Sequence, residues 1–486
     1  MTEPAFRSAS SLVRALRSGS LGSLELLDHY LARIARHNPT LNAIIAMDVE
    51  AARRQARAAD TARRRGKPLG PLHGLPMTVK ESFDLRGFAT TWGLPALKRN
   101  IAGDDATAVR RLADAGAVIF GKTNTPVMLA DWQTYNPVYG MTCNPWSRDH
   151  SPGGSSGGAA AALAAGLTSL ELGSDIGGSI RNPAHACGVY GHRPSYGIVP
   201  TAGHALPGSD APLDLNVAGP LARSAADLDL ALGVLAGPEA ATAGGWQLHL
   251  PPERRTRLAE FRVAVVGTLP VAPVDGAIRT SIDALARFLV REKAKVSRTA
   301  RPKLQPEEVN TLYIHLLRAS TSALQSQDSK AFAATLAAAD RLRAADHSYY
   351  AEQLRGNTLR HRDWVVANNR RHVLHGAWLE FFKDYDLLLC PAAPTTAFPH
   401  DHAGERWQRE VLVDGKRRSV NEHLFWAGYS GLFGLPSTVA PLGRSPAGLP
   451  IGLQIIGPPG GDRTCIRFAR LLEREYHAFE IPPAFA

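Results

Sequence analysis

The sequence predicts an α/β fold in which helices cover most of a sheet, preceded by an N-terminal helical segment. Three observations carry this. From residue 75 onward, short apolar runs alternate with amphipathic helical patterns. Residues 8–60 show helical spacing alone. The 486 residues contain no internal repeat and no linker long enough to mark a second folding unit. Strands alternating with helices bury a sheet on both faces, which is the layered α/β arrangement.

The elements follow in order. Leu12, Leu16, Leu24, Leu27 and Leu31 recur at helical spacing, and residues 51–65 form an Ala/Arg helix. Gly and Pro punctuate residues 67–74, which separates a helical segment (residues 1–65) from the main body (residues 66–486). Residues 75–80 read as a strand. Asp104 or Asp105 caps a helix that carries Val109 and Leu112 and ends near Gly116. Residues 117–120 are a strand again, and further strands are expected at 261–266, 386–389 and 451–456. Residues 240–253 and 396–420 are polar or irregular and are expected at the surface.

Composition excludes several classes. The chain is 44% hydrophobic and 20% charged with four cysteines, so it is neither a disulfide scaffold nor a low-complexity chain. Net charge is 55 − 44 = +11, and 45 of the 55 basic residues are Arg against ten Lys. The arginines are scattered and interrupted by Asp and Glu. They read as solvated helix faces rather than a nucleic-acid stripe. Residues 1–20 lack the apolar core of a secretory leader, and no stretch reaches the ~18 apolar residues of a membrane span. Cys143, Cys187, Cys390 and Cys465 are far apart, which predicts free thiols and a cytoplasmic protein.

Two motifs match patterns whose physics they do not satisfy. Residues 116–123 read G-A-V-I-F-G-K-T, which fits the P-loop pattern. Ala117, Val118, Ile119 and Phe120 are strand residues, however, and no helix opens at Lys122. Nucleotide binding is not expected, and Lys122 is expected to tie loop carbonyls at a strand end. Gly153-Gly154-Ser155-Ser156-Gly157 fits a nucleophile elbow, yet a Pro-rich polar loop precedes it where the elbow needs an apolar strand.

The informative segment is larger. Ser151-Pro152-Gly153-Gly154-Ser155-Ser156-Gly157-Gly158 opens an Ala-rich helix, and Ser174-Asp175-Ile176-Gly177-Gly178-Ser179-Ile180-Arg181 follows. Ser155 and Ser179 stand 24 residues apart, each flanked by Gly. Gly177 and Gly178 let several N–H groups converge on one point, as an oxyanion site requires. A serine nucleophile needs a base. His185, His192 and His204 are near in sequence but none has a distinguishing setting. Lys80 ends an apolar strand in a chain poor in lysine. A shift of about 3 pKa units by burial would cost roughly 4 kcal/mol and yield a usable neutral amine.

These residues resemble the amidase signature family: a Lys after G-L-P-x-x-V, the G-G-S-S-G-G loop, and D-I-G-G-S-I-R at this spacing. Gly121-Lys122-Thr123-Asn124, Asn144-Pro145-Trp146, Gly219-Pro220-Leu221 and Gly448-Leu449-Pro450-Ile451-Gly452-Leu453-Gln454 are also similar to family segments, so the likeness spans nearly the whole chain. The resemblance implies one large α/β/α layered domain around a central mixed sheet, with the N-terminal helical segment attached. It implies a Ser–cisSer–Lys triad in which Ser179 is the nucleophile and Ser155, after a cis bond from Gly154, relays protons to Lys80. Backbone N–H groups of Ile176, Gly177, Gly178 and Ser179 would hold the oxyanion. Ser156, Asp175 and Arg181 would support the site. No metal and no organic cofactor are implied.

The implied activity is hydrolysis of small aliphatic or aryl amides through an acyl-enzyme. The rival within the family is the glutaminase component of the glutamine-dependent tRNA amidotransferase, its A-type polypeptide, which would give the positive charge a meaning. Residues 360–382 lack that component's R-R-I-x-L-G-T pattern, and residues 125–132 replace its M-D-E-F-x-M. A non-catalytic binding protein on this scaffold would be expected to have lost a triad position, and all three are present. Expected partners are a small-molecule amide, no nucleic acid and no membrane, with a homodimer left open. Met128, Trp132 and Tyr135 are expected to line an apolar substrate pocket. Trp364, Trp378 and Trp426 are candidates for pocket wall or core.

Overall fold

A computed structural model of the chain describes residues 3–239, 241–324 and 329–486. Among them, eleven strands form one mixed sheet. They are β1 (Ile44–Met47), β2 (Pro76–Lys80), β3 (Val118–Thr123), β4 (Glu171–Asp175), β5 (Tyr190–Arg193), β6 (Val217–Ala222), β7 (Arg262–Val265), β8 (Lys295–Ser297), β9 (Leu387–Pro391), β10 (Ser437–Arg444) and β11 (Pro450–Ile456). Their order across the sheet is β1-β3-β2-β4-β6-β5-β10-β11-β9-β7-β8. β2 runs parallel to β3 and β4, with Lys80 opposite Thr123. β4 is antiparallel to β6, and β10 to β11. β7 is parallel to β9 and β8 at the far end.

All five residues of β2 and all five of β4 are buried. Burial on both faces explains why β2 reads as a continuous run without alternation. β4 is buried although its sequence is Glu-Leu-Gly-Ser-Asp, and it supplies site residues below.

The N-terminal segment forms helices α1 (Ala9–Ser18), α2 (Ser23–Leu41) and α3 (Val49–Arg64). Ser8 caps α1 and Asp48 caps α3, accepting from the N–H of Ser11 at 3.2 Å and of Ala51 at 2.9 Å. The segment is not purely helical as expected. β1 lies between α2 and α3 and pairs with β3 at the sheet edge. Four apolar residues are too few to show a period, so the strand is set by pairing rather than pattern. The buried Asp227 carboxylate also accepts the Ala9 and Ser10 N–H groups at 2.7 and 2.8 Å, fastening α1 to the body.

Helix α4 (Thr107–Asp114) carries Val109 and Leu112 inward as expected, but neither Asp104 nor Asp105 caps it. Asp105 accepts the Arg86 N–H at 2.7 Å, and Asp104 meets the Arg86 guanidinium at 3.3 Å. Residues 241–253 are largely exposed as expected, and residue 240 lies outside the described residues. The 396–420 segment is likewise mostly exposed as expected, but it is not wholly irregular. It holds an antiparallel pair, Glu410–Val413 with Lys416–Ser419, and turns Arg406 and Arg409 inward. All four cysteines are free thiols. Among the described residues no helix is long and apolar enough to cross a membrane.

Candidate active site

Two structural units converge at the end of β2. Helix α5 (Gly157–Ala164) is wholly buried, and the Gly-Ser loop enters it. Gly158 is required there because a Cβ would collide with the Asn124 backbone. β4 then delivers the second loop, which turns into helix α6 (Arg181–Cys187). Gly178 sits in that turn at φ +94°, a conformation that disfavours side chains.

Lys80 Nζ donates to Ser155 Oγ at 2.7 Å and to Ser174 Oγ at 2.9 Å. Lys80 is 0% exposed. Burial lowers its pKa from 10.5 to about 7 against the opposing pull of Asp175 and Glu81. A group at that value is substantially neutral near pH 7 and can accept a proton. The Gly154–Ser155 peptide bond is cis. The Ser156 N–H donates to the Ser179 carbonyl at 3.1 Å, tying the two serine loops together. Ser156 Oγ reaches the Ser174 carbonyl at 3.4 Å. The Ser179 hydroxyl makes no hydrogen bond with a described residue and lines a cavity of about 920 Å³, its mouth included.

Asp175 and Arg181 form a buried pair with an N–O distance of 2.8 Å. Burial alone would raise the Asp175 carboxyl, but Arg181, Arg193 and the backbone donors hold it well below the usual carboxylate range. Asp175 also accepts the N–H groups of Gly178 (3.0 Å), Ile180 (3.1 Å) and Arg181 (3.3 Å). Arg181 in turn spans to the Ala427 carbonyl, Ser430 and Gln454. This network shapes the loop. It also corrects one expectation: the Gly178 N–H is engaged by Asp175, whereas those of Ile176, Gly177 and Ser179 make no hydrogen bond with described residues.

Three positioning contacts were not legible in the sequence. Ser174 shares the Lys80 amine. The Tyr313 hydroxyl donates to the Ile176 carbonyl at 2.6 Å, and Trp132 Nε1 donates to the Gly177 carbonyl at 3.1 Å. Nothing local to Tyr313, on the helix Pro306–Ser322, marks a contact 137 residues away. Lys122 does tie loop atoms as expected, donating to the Ala89 carbonyl at 2.7 Å and to Thr90 Oγ1 at 3.0 Å.

Met128 and Trp132 line the cavity, with Trp92, Leu129, Leu317 and Leu424. Trp92, Met128 and Leu129 hold positive φ of 51–56°, a strained conformation concentrated on this wall. Tyr135 is not among the lining residues. It stacks on His402 at 3.7 Å and accepts from Arg409 at 2.9 Å. Trp378 and Trp426 are core, and Trp364 packs against it. Of the three histidines, His185 bonds the Gly452 backbone and the Thr395 carbonyl, and His192 bonds Thr438 and Asp462. His204 lines the cavity and bonds Ser82 at 3.0 Å, and burial together with Lys80 pushes its pKa down to about 3. It is neutral there.

The sequence matches the Amidase family model over residues 25–466. It is 33% identical over 458 residues to an indoleacetamide hydrolase of Bradyrhizobium diazoefficiens, covering 92% of this chain and 82% of that protein. It is 32% identical over 490 residues to the A-type polypeptide of the glutamyl-tRNA(Gln) amidotransferase of Synechococcus sp. (strain CC9605), covering 97% and 96%. The fold superposes on the crystal structure of an amidase with TM-score 0.77 at 30% identity, covering 96% of this chain and 99% of that one. A family match over nearly the whole chain, on a fold that buries the signature lysine 2.7 Å from the Ser155 hydroxyl, places this protein in the amidase signature family of amide C–N hydrolases.

Proposed function

We propose that the protein is a free-standing amidase that hydrolyses small carboxylic acid amides, aliphatic or aryl, through an acyl-enzyme on Ser179. The observation that carries this reading is the buried Lys80 amine, 2.7 Å from Ser155 Oγ and with its pKa lowered to about 7. Neutral Lys80 takes the Ser155 proton as Ser155 takes that of Ser179, and Ser179 Oγ attacks the amide carbonyl. The Ile176, Gly177 and Ser179 N–H groups stabilise the developing oxyanion without first breaking a hydrogen bond. Ser155 returns a proton to the departing nitrogen, because an amide leaves poorly unprotonated. Water attacks the acyl-enzyme as the same relay takes its proton to Lys80, and the proton then returns to the departing Ser179 oxygen.

The similarity to the tRNA amidotransferase polypeptides supports a second reading, glutaminase chemistry within a complex. The cavity weighs against it. Its one lining carboxylate among the described residues, Asp131, is already paired with Arg409 at 2.7 Å, which leaves no free anion for the ammonium of glutamine. The lining is otherwise mostly apolar apart from Arg318 and Arg406, whose guanidiniums suit a carboxylate but repel an ammonium. Purified chain assayed alone against aliphatic amides, anilides and glutamine separates the two. Anilide hydrolysis by the lone chain supports the amidase. Glutaminase activity that appears only with partner proteins overturns it.

A further inference from the structure

Two arginines in the cavity make no direct ion pair with a carboxylate of the described residues. Arg406 and Arg318 both line the space that holds Ser179. The Arg406 guanidinium makes no hydrogen bond or ion pair with a described residue. Burial and the neighbouring Arg318 charge lower its pKa, and Asp131 acts on it only from a distance. Arg318 is 9% exposed. It reaches only the Tyr349 hydroxyl and ring, and its Nε has no partner. Asp131 makes its direct ion pair with Arg409, in a pair whose side chains are 7% and 9% exposed, and attracts Arg406 without a direct contact. Among the described residues the cavity therefore sets three guanidiniums, those of Arg318, Arg406 and Arg409, around one carboxylate, which leaves an excess of positive charge there.

Cations withdrawn from water are unfavourable unless an anion meets them. The buried guanidiniums of the core each reach several acceptors: Arg181 finds Asp175 and three others, and the terminal nitrogens of Arg193 find backbone carbonyls although its Nε makes no hydrogen bond. Arg406 and Arg318 differ in lacking any such set of acceptors while facing the cavity, which points to an acceptor supplied by the ligand. Guanidinium presents a planar fork of donors that matches a carboxylate.

We propose that Arg406 and Arg318 form an anion-recognising subsite, so that the amide cleaved at Ser179 carries a carboxylate separated from its scissile bond by an apolar spacer. This deepens the amidase reading and rests on it. The spacer crosses the wall formed by Met128, Trp132, Leu317 and Leu424, and the carboxylate meets the two guanidiniums. Arg406 comes from the segment 396–420 and Arg318 from the helix Pro306–Ser322, so two elements remote from the catalytic loops set the specificity.

The test compares kcat/KM within matched sets: glutaryl, valeryl and δ-aminovaleryl para-nitroanilides for the acyl side, and para-acetamidobenzoate against acetanilide for the leaving side. The carboxylate member of at least one set is expected to lead its neutral counterpart by about 10- to 100-fold, the range of a charge-assisted hydrogen bond. Arg406→Gln brings that ratio toward one, and Arg406→Glu shifts preference to the ammonium substrate. A ratio taken within one sample cancels any loss of folded protein. Equal rates within both sets, or a preference that survives both Arg406→Gln and Arg318→Gln, overturns the subsite. Calorimetric binding of glutarate separates the two proposals. Glutarate binding that is lost in the variants, without turnover of any amide, sinks the hydrolytic reading alone. Hydrolysis of neutral anilides without glutarate binding or carboxylate preference sinks the subsite alone.

Discussion

The Tyr313 hydroxyl donates a 2.6 Å hydrogen bond to the Ile176 carbonyl. In a planar trans peptide the carbonyl and the following N–H point in opposite directions. Fixing the Ile176 oxygen therefore aims the Gly177 N–H. Tyr313 lies on a different helix from the catalytic loops and packs on Gly428, where a Cβ would collide with the ring.

Tyr313→Phe keeps the ring and removes only this bond. We expect kcat to fall about tenfold with KM little changed, smaller than the ~10²–10³ lost when an oxyanion donor itself is removed. Gly428→Ala displaces the same ring and should reproduce the effect. A Tyr313→Phe enzyme with wild-type kcat would show that the Gly177 N–H needs no such anchor.

Lys80 should set the acid limb of activity. Its neutral form grows as pH rises through about 7, so kcat/KM should climb with an apparent pKa near that value. Stability follows from the lowered pKa. Between about 7 and 10.5 the unfolded chain binds the proton that the folded chain does not, so stability rises with pH there. Lys80→Met should abolish hydrolysis, and its melting temperature relative to wild type should be higher at pH 6 than at pH 10. A pH-independent difference would place the lysine's pKa elsewhere.

Ser179 and Ser155 should separate by labelling. A fluorophosphonate is expected to modify the peptide containing Ser179, read by mass spectrometry. Ser179→Ala should lower kcat by about 10⁴-fold or more while the folded state persists. Modification of Ser155 in place of Ser179 would reverse the assigned roles.

Asp175→Asn should act on the loop rather than the chemistry. It leaves Arg181 as an uncompensated buried charge, so denaturant titration should show a loss of about 3–5 kcal/mol. Activity should fall with it, because one of the two oxygens that accept the Gly178, Ile180 and Arg181 N–H groups becomes an amide donor. A variant as stable as wild type would mean that the pair is not what holds the turn.

Much of the site is legible in the sequence for a local reason. Lys80 ends an apolar run, and Ser155 and Ser179 stand in Gly-rich loops whose backbone demands only Gly meets. The departures are non-local. Asp104 and Asp105 have the right chemistry for a helix cap, but Arg86 competes for both. Tyr135 follows Trp132 by three residues, yet Arg409 and His402 hold it outside the cavity. The polarity of the 396–420 segment suggests surface, and Arg406 on it faces the cavity.

The sequence by itself determined the layered α/β class, the N-terminal helices, the family and the three residues of the proposed relay. Periodicity, Gly placement and spacing are properties of adjacent residues. Only the tertiary structure decided which N–H groups stay unspent, which side chains anchor the oxyanion loop, and that two arginines face the cavity without a direct ion pair. Those facts depend on which partner reaches each group first, and partners hundreds of residues apart meet only when the sheet and its helices close.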